Sequence, residues 1–525
     1  MKICIIGGGT AGWLAALWIT KLRPGWADVT VIESSKIGII GAGEGTTGIF
    51  FNIIQNRWGK FGIDEADFMR ETGATHKMGI KFERWTNPLS SYIAPIDNTP
   101  AVKDHYDPVL IDHCIRQGAN TAHLTTLCGN LAEHNLSSYD RNYSTTYGYN
   151  AYHFDGHRVG QYFKKLAAPL CEHVIDAEIV DVTTGDKGVE SVKLNTGDTI
   201  SADYWIDASG FARILSRALD SQWHSYKEHL TCDRAMPFLL PHSDLRPVRP
   251  LTVSRAMNAG WQWRIPTQDR WGCGYVYDSQ HKTEDQALRE LELDIGTKVE
   301  PIKVIKFDPG RLEEAYCKNT MSIGLAGSFL EPLQATSIHG TVAQLQCFDQ
   351  LMFRPRHVHC TDLQNARANE VFRATTDQFA DLIQLHYKSG RGDTDFWRKQ
   401  QTTPERTNVT YLRELVQHRW PTDQDWHLSW GTAGYGVFIY PMINYGWINW
   451  RTIAQLLPRN IEQYSARWQR HAKQLVDRAL PHSEMIKNID RLQNIRFSQE
   501  FDTIKEPLTK PKVNTPVHPL LRGIL

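Results

Sequence analysis

The sequence predicts an α/β fold built around a parallel sheet, joined to a mostly helical C-terminal region. Three observations carry this. Lys2-Ile3-Cys4-Ile5-Ile6 is a short, nearly continuous apolar run, as a strand buried on both faces requires. Gly7-Gly8-Gly9-Thr10-Ala11-Gly12 follows at once and opens a helical pattern, with Leu14, Leu17, Trp18 and Leu22 at helical spacing before Pro24-Gly25. A second strand, Val29–Ile32, then ends at Glu33, which completes a βαβ unit.

Further along the chain the reading is coarser. Residues 86–150 are rich in Asn, Ser, Thr, Tyr and Pro and read as loops, a substrate-facing insertion near 80–150. Val189–Asn195 and Ile200–Ile206 read as strands flanking the turn Thr196-Gly197-Asp198, and the second run closes on Asp207-Ala208-Ser209-Gly210. Residues 250–280 read as strands, and residues 300–350 as a strand, a loop and a helix. Beyond about 360 helical patterns dominate, and Pro507, Pro511, Pro516 and Pro519 mark an extended tail. The expected division is a nucleotide-binding module over 1–355 and a helical region over 356–525 that closes the substrate side.

Composition excludes several classes. The 525 residues carry 58 Lys+Arg against 58 Asp+Glu, without the net basic charge typical of a nucleic-acid binder. No run approaches the roughly 18 apolar residues of a membrane span, and the five residues before the glycine cluster are too few for a signal peptide. Nine scattered cysteines without a C-x-x-C read as reduced thiols in a cytoplasmic protein. His357-Val358-His359-Cys360 reads as structural, so no metal is expected. Seventeen tryptophans stand out, and nine aromatics fall within 420–450, among them Trp420, Trp426, Trp430, Trp447 and Trp450. That cluster is either packing core or the wall of an aromatic pocket.

The glycine cluster carries the first chemistry. In Gly7-x-Gly9-x-x-Gly12 the first glycine permits a tight turn, the second admits a pyrophosphate and the third lets helix and strand approach. Thr10 and Ala11 start the helix, whose free N–H groups face the phosphates, and Glu33 is placed for a ribose hydroxyl pair. A second glycine cluster over 38–47, with Gly43, Glu44 and Gly45, follows closely. A longer dinucleotide running across the sheet needs that second loop, so FAD is favoured over NAD in a Rossmann-like flavoprotein fold. Asp207 and Gly210 suit a late flavin contact.

Gly260-Trp261-Gln262-Trp263-Arg264-Ile265-Pro266 is a W-x-W-x-I-P signature, followed by Trp271-Gly272-Cys273-Gly274. Thr75-His76-Lys77-Met78-Gly79-Ile80-Lys81-Phe82 and the segment Gly324–His339 complete an ordered set of motifs over residues 1 to about 350. Together these resemble the flavin-dependent halogenases, the tryptophan/indole type in particular. The resemblance implies that reduced FAD (FADH2), dioxygen and a halide (chloride or bromide, iodide being open) yield hypohalous acid. Lys77, and not its neighbour Lys81, then activates this oxidant beside an electron-rich aromatic substrate. Thr336 and Ser337 match backbone halide ligands, and Leu325 and Ile338 match positions that line the flavin. Trp261, Trp263 and Pro266 match residues that shield the flavin against ordinary monooxygenation. No second nucleotide-binding unit for NAD(P)H is evident, so a separate flavin reductase is implied. Oligomeric state, a homo-oligomer included, is not legible.

Two positions depart from the family. Tryptophan halogenases carry a glutamate where this chain has Gln334, and a glycine where it has Ser337. An amide is no base at neutral pH but both donates and accepts hydrogen bonds, so Gln334 is expected to orient oxidant or substrate. Glu331 and His339 stand near enough in sequence to substitute. Two rival readings remain at this stage: an aromatic hydroxylase, and a flavin-binding protein that has lost halogenation.

Overall fold

The computed structural model describes residues 1–38, 43–56, 59, 61–97, 107–143, 145–146, 150–242, 248–422, 425, 436–492 and 496–497. Lys2–Ile6 lies at the heart of a six-stranded sheet, parallel to Asp28–Glu33 on one side and Tyr204–Asp207 on the other. His173–Asp176 and Thr320–Ser322 extend the parallel order, and Tyr316–Cys317 closes it antiparallel. Ile3, Cys4 and Ile5 are wholly buried, because the first helix covers the sheet on one side and other elements cover it on the other. That helix, Thr10–Leu22, buries Trp13 through Ile19.

The run predicted as one strand over 200–206 divides in two. Thr199–Ser201 ends an antiparallel meander with Ile179–Gly185 and Gly188–Leu194, while Tyr204–Asp207 joins the parallel sheet. Asp203 makes the hand-over: its carboxylate accepts from the Lys2 N–H at 2.7 Å, and its own N–H donates to the Lys2 carbonyl at 3.0 Å. Apolar periodicity continues across that hand-over, so it could not show the break.

A second, seven-stranded sheet holds most of the motif residues. Its order is Ile305–Lys306, Arg234–Pro241, Arg270–Tyr277, Gly260–Pro266, Leu251–Met257, Gly79–Glu83 and Ser91–Pro95. All its pairs are antiparallel except that of Leu251–Met257 with Gly79–Glu83. A small sheet of Glu44–Gly45, Ala151–Phe154 and Thr75–Lys77 brings the second glycine cluster against the strand of Lys77.

The expectation of loops over 86–150 is corrected. The described residues there form the strand Ser91–Pro95, the helices Pro108–Gln117 and Leu127–Glu133, a 3-10 turn at Ala119–Thr125 and the strand Leu136–Asp140. The polar residues that suggested loops are partly helix caps. Asp107 accepts from the Val109 and Leu110 N–H groups ahead of Pro108, and Thr126 accepts from the Gly129 N–H. The C-terminal helix Ile461–Arg478 packs on this insertion, where Trp468 Nε1 donates to the Leu124 carbonyl at 2.9 Å. Asp362–Tyr387, 26 residues long, packs on the helix Thr336–Cys347. The expected tail lies outside the described residues, apart from Arg496–Phe497. Among the described residues no helix is long and apolar enough to cross a membrane.

One buried carboxylate ties the insertion to the small sheet. Glu65 accepts from Tyr152 Oη at 2.6 Å, Gln55 Nε2 at 2.6 Å and the Tyr139 hydroxyl, with His76 Nε2 at 3.3 Å. Burial alone would raise its pKa, but His76 and the two tyrosine hydroxyls outweigh it and hold the carboxyl below the usual range. Glu65→Ala leaves these donors buried and unpaired and is expected to cost about 3 kcal/mol or more at pH 7. Because the folded-state pKa is lowered, this stabilisation is present above about pH 4.5 and fades as pH falls through the carboxylate range. Urea unfolding of parent and variant at pH 7 and pH 3.5 checks both statements; equal stabilities at pH 7 would contradict them.

Candidate active site

The glycine turn has the form the spacing predicts. Gly7 sits at φ +112°, where a Cβ would lie 2.3 Å from the Ala208 carbonyl oxygen, and a Cβ on Gly12 would lie 1.9 Å from the Gly7 oxygen. A Cβ on Gly9, by contrast, would meet nothing within 4 Å, so this glycine faces open space. Gly9 caps the helix without a side-chain acceptor, and the first turn holds no acid of its own. Glu33 stands at the strand end, accepting from Trp13 Nε1 at 3.0 Å and paired with Lys164.

The late segment returns to the same place. Gly324, at φ +58°, would with a Cβ lie 2.9 Å from the Ala11 Cβ, so the turn that holds Leu325 abuts the first helix. Asp207 is wholly buried, and its carboxylate accepts from the N–H groups of Ser209, Leu215 and Ser216 and from Ser209 Oγ at 2.6 Å. It builds the turn that carries Gly210, a glycine at φ +67° with open space at its Cβ position. These open glycines and uncapped N–H groups suit a long dinucleotide such as FAD.

Lys77 lies at the end of the small sheet. Strand alternation turns Thr75 and Lys77 to one face and His76 to the other, toward Glu65. The Lys77 ammonium donates to the Thr46 carbonyl at 2.9 Å, and the side chain is 1% exposed. A Cβ on Gly45 would sit 3.0 Å from Lys77 Nζ and 3.5 Å from Thr252 Oγ1, so a larger residue there would crowd the amine. Among the described residues no carboxylate pairs with Nζ, and burial lowers its pKa to about 7. Lys81 instead pairs with Glu83 at 3.0 Å and is partly exposed. His153 completes the face, bonded to Thr252 Oγ1 at 2.8 Å, and burial holds its pKa well below the usual histidine value.

The segment Glu44–Thr47 joins the parts. Glu44 packs against Gly156 beside Asp155, and burial with that neighbouring carboxylate raises its pKa to about 7. Gly43, at φ +84°, passes so close to Gly272 that a Cβ would lie 2.9 Å from its Cα. Ile39–Ala42 of this cluster lie outside the described residues. Thr47 Oγ1 bonds His339 Nδ1 at 2.9 Å, which ties the lysine loop to the helix Thr336–Cys347. That helix starts after Ala335 at φ +58° with no side-chain cap and no acid in its first turn; Thr336 and Ile338 are buried and Ser337 is exposed.

The tryptophan strand has two distinct anchors. Trp263 lies opposite Gly274, where a Cβ would fall 2.0 Å from its ring, so the glycine makes room for the indole. Trp261 Nε1 donates to Glu331 Oε2 at 2.8 Å, and the Tyr387 hydroxyl donates to the same oxygen. Burial raises the pKa of Glu331 to about 7. The two indoles are 6.0 Å apart, and the Pro266 carbonyl accepts from Thr75 Oγ1 at 2.8 Å, which joins this strand to the lysine strand. Gln334 bonds His386 Nε2 at 3.0 Å, a partner 52 residues away that no local pattern marks. Glu65, Tyr152 and His386 were all missed by the sequence reading for this reason. Trp420 and Trp447 are buried in the helical core, Trp447 beneath Arg413, while Trp426 and Trp430 lie outside the described residues.

An open glycine turn on a parallel sheet and a buried amine with no counter-ion among the described residues fit a dinucleotide-dependent enzyme. The tryptophan halogenase family model matches residues 2–443. Tryptophan 7-halogenase RebH of Lentzea aerocolonigenes is 32% identical over 426 residues, 76% of this chain and 78% of that protein. Among solved structures, BrvH, a flavin-dependent halogenase from Brevundimonas sp. BAL3, matches with a TM-score of 0.82 at 27% identity, covering 93% of this chain and 99% of its own. A flavin-dependent halogenase from Xanthomonas campestris matches with a TM-score of 0.82 at 26% identity, covering 95% and 99%. The chain belongs to the tryptophan halogenase family of flavin-dependent enzymes.

The buried lysine makes a stability prediction that needs no turnover. The unfolded chain keeps a lysine pKa near 10.4, so the desolvation cost is present in full below about pH 7 and disappears above about pH 10. Lys77→Met is therefore expected to be more stable than the parent by a few kcal/mol, as an order of magnitude, at pH 6. That advantage shrinks as pH rises. Urea unfolding at pH 6 and pH 9 checks it, and a difference independent of pH would show that Lys77 is solvated.

Proposed function

We propose that the protein halogenates an electron-rich, indole-like aromatic, using FADH2, dioxygen and a halide ion. The observation that carries this is Lys77: a buried amine held by one carbonyl, with space kept for it by Gly45. When bound, the reduced flavin with dioxygen supplies the two-electron oxidation of the halide to hypohalous acid. The glycine turn at Gly7, Gly9 and Gly12, with Thr10, Ala11, Glu33 and the Gly210 turn, holds the dinucleotide. The uncapped N–H groups near Thr336 and Ser337 receive the halide. The separate resemblance-based roles of Leu325, Ile338, Trp261, Trp263 and Pro266 are to line and shield the flavin.

Lys77 Nζ keeps hydrogen-bonding capacity beyond the Thr46 carbonyl. As ammonium it donates to the oxygen of hypohalous acid and makes the halogen more electrophilic; as free amine it forms a haloamine and water. Ring attack on the halogen gives the aryl halide; the ring proton leaves with the oxygen as water in the first route and returns to the Lys77 nitrogen in the second. With a pKa near 7, Lys77 holds both forms at neutral pH. His153 beside it and Glu44 on the adjoining strand are likewise pushed toward their neutral forms. A site of this kind accepts a neutral oxidant and a neutral ring more readily than a zwitterionic amino acid. Reduced flavin is supplied by a separate reductase, and the reaction is set in the cytoplasm, where the nine thiols stay reduced.

With supplied FADH2 and bromide, a panel of indoles and phenols is expected to give products heavier by one bromine in place of hydrogen, with no added oxygen. Oxygen incorporation instead would make the protein a hydroxylase. Lys77→Ala is expected to lose halogenation by about a hundredfold or more while FAD still binds, as read by flavin fluorescence; full activity would overturn the mechanism. Gln334→Ala is expected to reduce turnover of the same substrates, and unchanged turnover would remove Gln334 from the site.

A further inference from the structure

Gln334 ends the turn Pro332–Gln334, directly before Ala335 and the helix Thr336–Cys347. Its partner His386 lies in the last turn of Asp362–Tyr387 and has no exposed surface. The His386 Nδ1 stands 2.7 Å from the Leu382 carbonyl, one turn earlier in the same helix. A carbonyl oxygen only accepts, so Nδ1 carries the proton and Nε2 of the neutral ring presents a lone pair. Burial keeps the ring neutral, lowering its pKa to about 4.

Gln334 Nε2 must then be the donor in the 3.0 Å contact, which fixes which way the amide faces. The amide NH2 points to His386 and the carbonyl Oε1 points away from it. The imidazole cannot turn to another partner, because Phe82 lies 4.7 Å and Trp85 5.6 Å from it, centre to centre. The environment contains Tyr92, whose hydroxyl bonds that of Tyr445, but no carboxylate faces the ring among the contacts of the described residues.

We propose that His386 is a positioning residue, which locks the Gln334 amide with its carbonyl as the acceptor turned toward the reaction space. The part of this concerning the reaction space rests on the functional reading above. The pair also explains why glutamine stands here. A carboxylate at 334 has no proton for the Nε2 lone pair, so either two acceptors face each other or the buried ring must take up a second proton against its desolvation. The chain has matched a neutral amide to a neutral imidazole, and the resulting carbonyl accepts a hydrogen bond from substrate or oxidant without acting as a base.

Four variants test the pair in the full-length protein: His386→Phe, His386→Gln, Gln334→Glu and the double variant Gln334→Glu/His386→Gln. Activity is read with indole, bromide and supplied FADH2. His386→Phe and Gln334→Glu are expected to lower kcat about tenfold or more, with the bromide KM unchanged. His386→Gln keeps an acceptor for the amide and is expected to retain most of the rate. In the double variant the new amide donates to the new carboxylate, so it is expected to recover most of what Gln334→Glu loses. Full activity in His386→Phe, or purely additive losses in the double variant, overturns the proposal.

A second measurement keeps the pair separate from the functional reading. Histidine 15N shifts of the protein without turnover should show His386 neutral, with Nδ1 protonated and Nε2 bare. In Gln334→Glu the ring should take up a second proton as the new carboxylate draws it. A parent that never halogenates but shows these shifts contradicts the function and supports the locked amide; a parent with Nε2 protonated overturns the locked amide whatever its activity.

Discussion

The constraint on which the rest of this site depends is a lysine taken out of water with no counter-ion among the described residues. Desolvation penalises the charged form, and a single backbone carbonyl at Thr46 recovers only part of the loss. Such a group stays in place only where its surroundings cannot relax. Thr46 is therefore fixed on its own account: its N–H donates to the Tyr152 carbonyl, and its hydroxyl accepts from the Tyr152 N–H at 2.9 Å. Tyr152 is in turn held by Glu65 on the opposite face of the small sheet. The stable carboxylate network behind the strand is the support for the unstable amine in front of it.

Period-two alternation gives the two faces their different characters. His76 points to the side that carries Glu65, Tyr139 and Tyr152, where charge is compensated. Thr75 and Lys77 point to the side of His153, Thr252 and the Pro266 carbonyl, where it is not. A shift of one residue in register would exchange these environments. The pairing of Thr75 with His153 and Lys77 with Ala151 is thus a chemical as well as a structural requirement.

How much of this was legible depended on whether the information was local. The βαβ opening, the strand nature of Gly260–Pro266 and the distinction of Lys77 from Lys81 follow from motifs a few residues long. Gly274 is explained only once Trp263 is seen lying across it in the neighbouring strand. The bonds of Glu65 to Tyr152 and of His386 to Gln334 span 87 and 52 residues, and nothing in the sequence around these residues announces them. Asp207 was read as a late flavin contact after a strand, but its carboxylate proves to be occupied by two donors from Ser209 and two from the following helix. Polar composition over 86–150 concealed helices, because Asp107 and Thr126 are caps and not loop residues.

The tryptophan excess resolves along the same lines. Trp261 holds Glu331, Trp263 fills the space above Gly274, and Trp420 and Trp447 are packed in the helical core. None of these needs an ion to compensate it, and the titratable groups nearby follow the same logic. Lys77 is drawn toward the free amine, His386 and His153 are held neutral, and Glu331 and Glu44 are drawn toward the protonated acid. Burial is the first cause in each case, so the neutrality belongs to the enclosure and not to any one residue. Within it, glutamine at 334 is consistent with its setting: a permanent carboxylate there would be one more charge to desolvate, opposite an imidazole with no proton to offer it.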